Sequence, residues 1–167
     1  LIENPSGANP RVWVVNQDND SVSVFDTVTL AKLGEIAVGT APRSIARSPN
    51  GMIWVAAKQD GSLSVIDPST RAVTRTITLA RGSQPFGIVM SPVANAAYVV
   101  LEAGGQLLRF DTATYAQTGS AAIGPNARNL SIAANGNELY VSRFITPPLP
   151  GEATATLLRA RRAATGA

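Results

Sequence analysis

One period of roughly 40–45 residues governs the chain, and no other feature restricts its fold as much. The phrase "SVSVFDT" at 21–27 returns as "SLSVIDP" at 62–68 and as "QLLRFDT" at 106–112. Asp26, Asp67 and Asp111 are thereby spaced by steps of 67 − 26 = 41 and 111 − 67 = 44. Trp13, Trp54, Tyr98 and Tyr140 keep the same rhythm (54 − 13 = 41, 98 − 54 = 44, 140 − 98 = 42) and open the apolar runs "WVVN", "WVAA", "YVVL" and "YVSR". Pro42 and Pro85, again one step apart (85 − 42 = 43), lead into "RSIARSP" and "FGIVMSP", with "RNLSIAA" at the matching place of the next unit.

Within a unit every signal is β. Strand-length runs rich in Val, Ile, Leu and aromatics alternate with the turn signals "SPNG", "SPVAN" and "AANGN", and then "DTVT", "DPST" and "DTAT". The Asn-Gly pairs at 50/51 and 135/136 predict tight hairpins with positive φ at both central residues. No segment carries a helical period. Each unit supplies four short antiparallel strands, and a sheet that small cannot bury both faces alone. Stacked units of about 40–45 residues are the signature of propeller blades, each repeated Asp closing the hairpin after the third strand.

The stretch "APRSIARSPNGMIWVAAKQDGSLSVIDPSTRAVTRTITL" at 41–79, with its second copy through 123, resembles the YVTN-type β-propeller repeat, a relative of WD40 propellers in architecture. The resemblance covers roughly residues 11–143 and implies an all-β fold of four-stranded blades. A lead-in at 1–10 is expected to precede a partial propeller at 11–167, in units of about 11–51, 52–95, 96–137 and 138–167. The register assigns strands two to four of one blade to 11–38, whole blades to 42–80 and 85–123, and two strands of another to 127–143. "ATLLRARRAATGA" at 155–167 resembles a third strand, with Arg161 where the motif has Asp. About three and a half blades are thus expected, part of a seven-bladed ring that missing blades or a homodimer would complete.

The chain has no Cys and no His, which removes thiolate nucleophiles, Ser-His-Asp triads, Cys/His zinc sites and covalent haem attachment within it. No cofactor is expected. No run approaches the roughly 18–20 apolar residues of a membrane span, and "LIENPSGANP" carries neither a charged leader nor an apolar signal core. The formal net charge is +3, with 14 Lys and Arg of which only Lys32 and Lys58 are Lys. Apart from Arg159, Arg161 and Arg162 these are scattered, so no stripe follows a phosphate backbone and nucleic acid is not an expected partner.

Asp26, Asp67 and Asp111 read as turn-closing scaffold, and Trp13, Trp54, Tyr98 and Tyr140 as packing between blades. Binding residues are expected on the loops that enter the innermost strands and on those joining second and third strands. The first set, "GTAPRS", "RGSQPFG" and "GPNARN", brings Arg43, Gln84, Phe86, Arg128 and Asn129 towards the axis; the second brings Asn16, Gln17, Lys58, Glu102 and Arg143. These differ from unit to unit, and the Arg-bearing mouth suits an anionic ligand or an acidic patch of a partner. "NQDNDS" at 16–21 offers Asp18 and Asp20 as weak cation donors but lacks the Gly and distal Glu of an EF-hand. "FITPPLPGEAT" at 144–154 is a longer, Pro-rich insertion, either a functional loop or a stiff spacer.

The expected role is a non-enzymatic binding or scaffold module of an exported bacterial propeller, periplasmic, extracellular or on the cell surface, docking a protein or a small anionic ligand. The resemblance implies two alternatives. One is an enzyme or redox-enzyme subunit, lactonase-like, lyase-like or partnered with a c-type haem protein. The other is a structural surface-layer repeat.

Overall fold

The computed structural model describes residues 1–145 and the backbone of 157–161. Four antiparallel sheets follow one another along the chain, each built from consecutive strands. The first holds β1 (Ile2–Glu3), β2 (Arg11–Asn16), β3 (Ser21–Asp26) and β4 (Lys32–Ala37). The second holds β5 (Pro42–Arg47), β6 (Ile53–Ala57), β7 (Ser62–Asp67) and β8 (Ala72–Thr78). The third holds β9 (Pro85–Met90), β10 (Ala96–Leu101), β11 (Gln106–Asp111) and β12 (Gln117–Ala122). The fourth holds β13 (Ala127–Ile132), β14 (Glu138–Arg143) and β15 (Leu157–Arg161). These are blades of a partial β-propeller, in the register the repeat implies.

The stretch read as a lead-in also supplies a strand: Ile2 pairs with Val12 and Glu3 with Arg11, filling the innermost place of the first blade. Two residues are too few to show an alternation in sequence, which is why β1 escapes it. β15 pairs along β14 as the third strand of the last blade. The "FITPPLPGEAT" insertion lies, beyond Ile145, outside the described residues.

Blades pack face to face, and the second strands show how. In β6, Ile53 and Val55 join Trp13 in the core between blades one and two, while Trp54 and Ala56 join the core between blades two and three. In β10 the same division sends Ala97, Val99 and Leu101 backwards and Ala96, Tyr98 and Val100 forwards. A strand covered on both faces needs no polar alternation, which explains "IWVAA" and "AAYVVL". Trp54 lies tilted against Phe110 and Tyr115, ring centroids 6.3 and 5.8 Å away, contacts worth roughly 0.5–1.5 kcal/mol beyond area burial.

The repeated aspartates close the turns after β3, β7 and β11. Asp26 Oδ1 accepts the N–H groups of Val28 and Thr29 at 2.8 Å each; Asp111 Oδ1 accepts those of Ala113 and Thr114 at 2.9 and 2.8 Å. Asp67 Oδ1 accepts from Ser69, at 2.8 Å from N–H and 2.6 Å from the hydroxyl. Four residues after each aspartate the chain takes a left-handed conformation, at Leu30, Arg71 and Tyr115 (φ 59, 57 and 64°).

The Asn-Gly hairpins differ from expectation. Only Gly51 and Gly136 take positive φ (88 and 71°). The Gly51 N–H reaches the Ser48 carbonyl at 2.9 Å, and Ser48 then pairs with Met52. A turn with Pro49 in its second place, followed by a left-handed glycine, replaces the two-residue hairpin. The fixed φ of Pro49 favours that form.

Candidate functional site

The innermost strands β5, β9 and β13 begin with the same backbone device. Ala41, Gln84 and Asn126 take positive φ (54, 55 and 65°), and their carbonyls accept the N–H groups of Lys58, Glu102 and Phe144 at 3.0, 2.9 and 2.8 Å. Two residues further on, each strand bulges. Pro42 pairs with Ala57 and Ser44 with Ala56, which leaves Arg43 between the rungs; Ala127 and Asn129 likewise bracket Arg128. In β9 the register slips between Leu101 opposite Pro85 and Val99 opposite Ile88, at Phe86 and Gly87. A bulge releases one residue from the ladder and re-aims its side chain. Arg43, Phe86 and Arg128 are therefore equivalent, each one repeat on from the last (86 − 43 = 43 and 128 − 86 = 42).

A second equivalent set follows the second strands: Gln17, Lys58, Glu102 and Phe144, again one repeat apart (58 − 17 = 41, 102 − 58 = 44 and 144 − 102 = 42). The two sets interlock by one rule: the bulged residue of each blade meets the second-set residue of the blade before it. Arg43 Nη1 donates to Gln17 Oε1. Lys58 Nζ lies 5.6 Å from the Phe86 ring centroid, and Arg128 Nε donates to Glu102 Oε1 at 2.6 Å. Lys58 Nζ also sits 2.5 Å from Glu102 Oε2. The Phe86 ring has three cationic neighbours, with Arg43 and Arg128 Cζ 5.5 and 5.1 Å from its centroid. Arg128 is also 3.7 Å from the Phe144 centroid. Close approach of the inner strands holds the rings together: Ser44 Oγ donates to the Phe86 carbonyl at 2.5 Å, and a Cβ on Gly87 would lie 2.3 Å from the Arg128 carbonyl oxygen.

Glu102 is buried, at 6% exposure. Burial pushes its carboxyl upwards, but hydrogen bonds from Lys58 and then Arg128 outweigh that and hold it below the usual carboxylate range. It is therefore ionised at neutral pH. Three cations against one carboxylate leave a local charge of +2 (3 − 1). Because Glu102 already bridges Lys58 and Arg128, the cation left without a counter-charge is Arg43, whose Nη1 donates to the neutral Gln17 amide. An anionic group there would gain charge-assisted hydrogen bonds beside an aromatic wall.

The structure thus brings Arg43, Lys58, Phe86, Glu102 and Arg128 together. Gln84 contributes its carbonyl to backbone pairing, and Asn129 stands exposed in the ladder opposite Ser142. Arg143 ends β14, and its guanidinium lies against Gly124, where a Cβ would be 2.9 Å from Nη1. Sequence reasoning missed Phe144, the equivalent of Glu102, by one position; applying the step from Tyr98 to Tyr140 to Glu102 finds it. Asp20 Oδ1 accepts the Ala41 N–H at 2.8 Å and so fixes the approach to Arg43, while Asp18 lies exposed in the 3-10 turn Gln17–Asn19. Among the described residues no three acidic groups gather as a metal site.

Grooves further out between blades lie apart from this cluster. One of about 380 Å³, between blades two and three, is lined by Leu79, Leu108, Tyr115 and Gln117 among others.

No family model matches the chain. A 52-residue segment is 42% identical to the PE-PGRS family protein PE_PGRS18 of Mycobacterium tuberculosis, covering 31% of this chain and 11% of that protein. Among solved structures, Kuenenia stuttgartiensis hydrazine synthase is similar over 84% of this chain, with TM-score 0.73 and 26% identity, and the match covers 40% of that structure. A virginiamycin B lyase from Staphylococcus aureus, in complex with quinupristin, is similar over 86% of this chain, with TM-score 0.69 and 18% identity, covering 48% of its own length. A functionally unknown protein from Desulfotomaculum acetoxidans matches over 81%, with TM-score 0.70 and 20% identity. The chain spans about two fifths to a half of these structures, whose shared feature with it is the propeller fold.

Proposed function

We propose that this chain is a binding module of an exported bacterial propeller protein, docking an anionic group between Arg43 and Lys58 beside Phe86. The group is carried by a small molecule or by an acidic patch of a protein partner. The observation behind this reading is the convergence of Arg43, Lys58 and Arg128 on one phenyl ring, with a single carboxylate that occupies only two of the three cations. Bulges set Arg43 and Arg128 free of the ladder, which supports reading them as residues grafted on the repeat.

Titration with inorganic phosphate and with citrate, followed by NMR of the Arg and Lys side chains, tests the reading. Saturable shifts confined to Arg43 and Lys58 are expected, and Arg43→Ala should weaken binding about tenfold or more, the loss of one charge-assisted contact. Binding that Arg43→Ala leaves unchanged, or none at all, refutes the site.

A second reading, part of an enzyme, draws on the likeness to hydrazine synthase, at 26% identity over 84% of the chain. On that reading Glu102→Gln or Arg128→Ala abolishes a measured turnover while the fold persists.

A further inference from the structure

The third strands of the first two blades carry the same pair of serines, and the two pairs are engaged differently. Ser21 and Ser23 of β3 stand one repeat before Ser62 and Ser64 of β7 (62 − 21 and 64 − 23 both give 41). In the first blade, side chains of the same sheet reach both hydroxyls. Asn16 Nδ2 donates to Ser21 and Ser23 Oγ at 3.0 and 2.8 Å, and Ser21 Oγ donates to Glu35 Oε1 at 2.7 Å. One repeat on, Ala57 stands in place of Asn16 and Thr76 in place of Glu35 (57 − 16 and 76 − 35 also give 41). The amide donor and the carboxylate acceptor are both missing.

A groove of about 480 Å³ between blades one and two takes their place, within the roughly 300–1,000 Å³ of small-molecule sites. Ser62 and Ser64 line it together with their cross-strand partners Thr78 and Thr76, opposite Val38 and Gly39 at the end of the first blade. Ser64 is 2% exposed, yet its one bond is a long one, from the Gly39 N–H at 3.4 Å, and its hydroxyl proton has no acceptor among the described residues. The Thr76 and Thr78 hydroxyls have no partner among the described residues either. Buried hydroxyls are normally paired, so this unspent capacity at a cavity wall calls for a partner from outside the chain. Asp60 stands at the edge of the groove, its carboxylate held by Ser62 Oγ at 3.0 Å and by the Thr40 N–H at 3.1 Å, with lone pairs to spare.

We infer that this groove binds a neutral polyhydroxylated ligand, a sugar residue. Each sugar hydroxyl both donates and accepts, as the hydroxyls of Ser64, Thr76 and Thr78 do, and Asp60, an acceptor only, takes a further hydroxyl proton. Asp60 is the one charged residue of the lining, which is the wrong sign for an anion and too few carboxylates for a calcium ion. Val38 and Val73 give the groove an apolar edge for the C–H face of a sugar ring. The β6–β7 loop thus carries Lys58 to the mouth and Asp60 to the groove, and the inference does not depend on what the mouth binds.

Titration of the full 167-residue chain with glucose, galactose, mannose and N-acetylglucosamine, followed by methyl NMR, tests it. At least one of the four should give saturable shifts at Val38, Val73, Thr76 and Thr78. Thr76→Val keeps the shape of an exposed side chain and removes its hydroxyl, and it should weaken binding about two- to tenfold, the loss of one hydrogen bond. Thr76→Ser should retain most of the affinity, Asp60→Asn should lose at least as much as Thr76→Val, and Arg43→Ala should change nothing. If none of the four sugars shifts these methyl groups, or if Thr76→Val and Asp60→Asn bind like the wild type, the inference is overturned. Sugar binding lost in Arg43→Ala would put the sugar in the mouth and overturn it as well. Shifts produced by ammonium chloride and by no sugar would make the groove a cation site, which also overturns it.

Discussion

Glu102 and Arg128 belong to consecutive blades, and the carboxylate of the first accepts a 2.6 Å hydrogen bond from Nε of the second. Lys58, from the blade before, closes on the other carboxylate oxygen at 2.5 Å. One buried side chain thus ties three blades together at their inner rim. Replacing Glu102 by Leu leaves two cations facing each other without a counter-charge, and stability should fall by about 1–3 kcal/mol. The figure stays below that of a fully buried pair because the Lys58 and Arg128 side chains are 20 and 27% exposed. Urea unfolding followed by tryptophan emission measures the loss, and an unchanged midpoint would contradict the clamp.

Acid should weaken the fold in a defined window. Glu102 is depressed by Lys58 and Arg128 against the opposing effect of burial, and Glu35 is drawn from 4.5 to about 2 by Lys32, Ser21 and Asn19. A carboxyl depressed in the folded state stabilises it fully above the unfolded-chain value and loses that contribution as pH falls through the folded value. Stability should therefore be level from neutrality to about pH 5 and then decline, the Glu35 share extending to about pH 2. Thermal unfolding across this range reads the slope. Glu35→Gln should make it shallower, and an unaltered slope would count against the assignment.

Two glycines make opposite forecasts. A Cβ on Gly87 would lie 2.3 Å from the Arg128 backbone oxygen, so Gly87→Ala must push β9 away from β13, at about 1–3 kcal/mol, and displace Arg128. At Gly119 the nearest atom would be Arg109 Cβ at 3.8 Å, and φ is not positive, so Gly119→Ala should be neutral or stabilise by about 0.4–1 kcal/mol. Denaturant midpoints of the two variants, measured side by side, separate these outcomes.

Trp54 and Tyr140 occupy the same point of their blades in different surroundings. Trp54→Ala empties a fully covered core position and should cost about 3–5 kcal/mol. Tyr140→Ala, at a half-buried position, should cost clearly less. Equal costs would mean that Tyr140 is packed as fully as Trp54.

The blade pattern was legible because it rests on local chemistry: an Asp that closes a turn two and three residues on, an aromatic that opens a covered strand, and turn residues at a steady step. The mouth was legible in part. Loop position alone pointed to Arg43, Phe86, Arg128, Lys58 and Glu102, but their pairing depends on the rotation between blades, which leaves no mark in any single unit. Phe144 stands four residues after Tyr140, as Glu102 does after Tyr98, but loop position alone favoured the charged Arg143 one place earlier. β1 was hidden by its brevity, and the turn at Asn50-Gly51 by Pro49, whose ring favours a different turn from the one the dipeptide suggests; the turn at Asn135-Gly136 takes the same form with Ala134 in the proline's place.

On the function proposed above, the bulges at Arg43, Phe86 and Arg128 place recognition on side chains outside the ladder. A side chain held outside the rungs can be exchanged without breaking the ladder hydrogen bonds of its own sheet, and the same opening recurs at β5, β9 and β13. Variation could therefore rewrite the mouth one position at a time, as a lock is rekeyed pin by pin, while the surrounding barrel of strands keeps its shape. Arg, Phe and Arg are one such combination, and other combinations on the same frame would select other ligands.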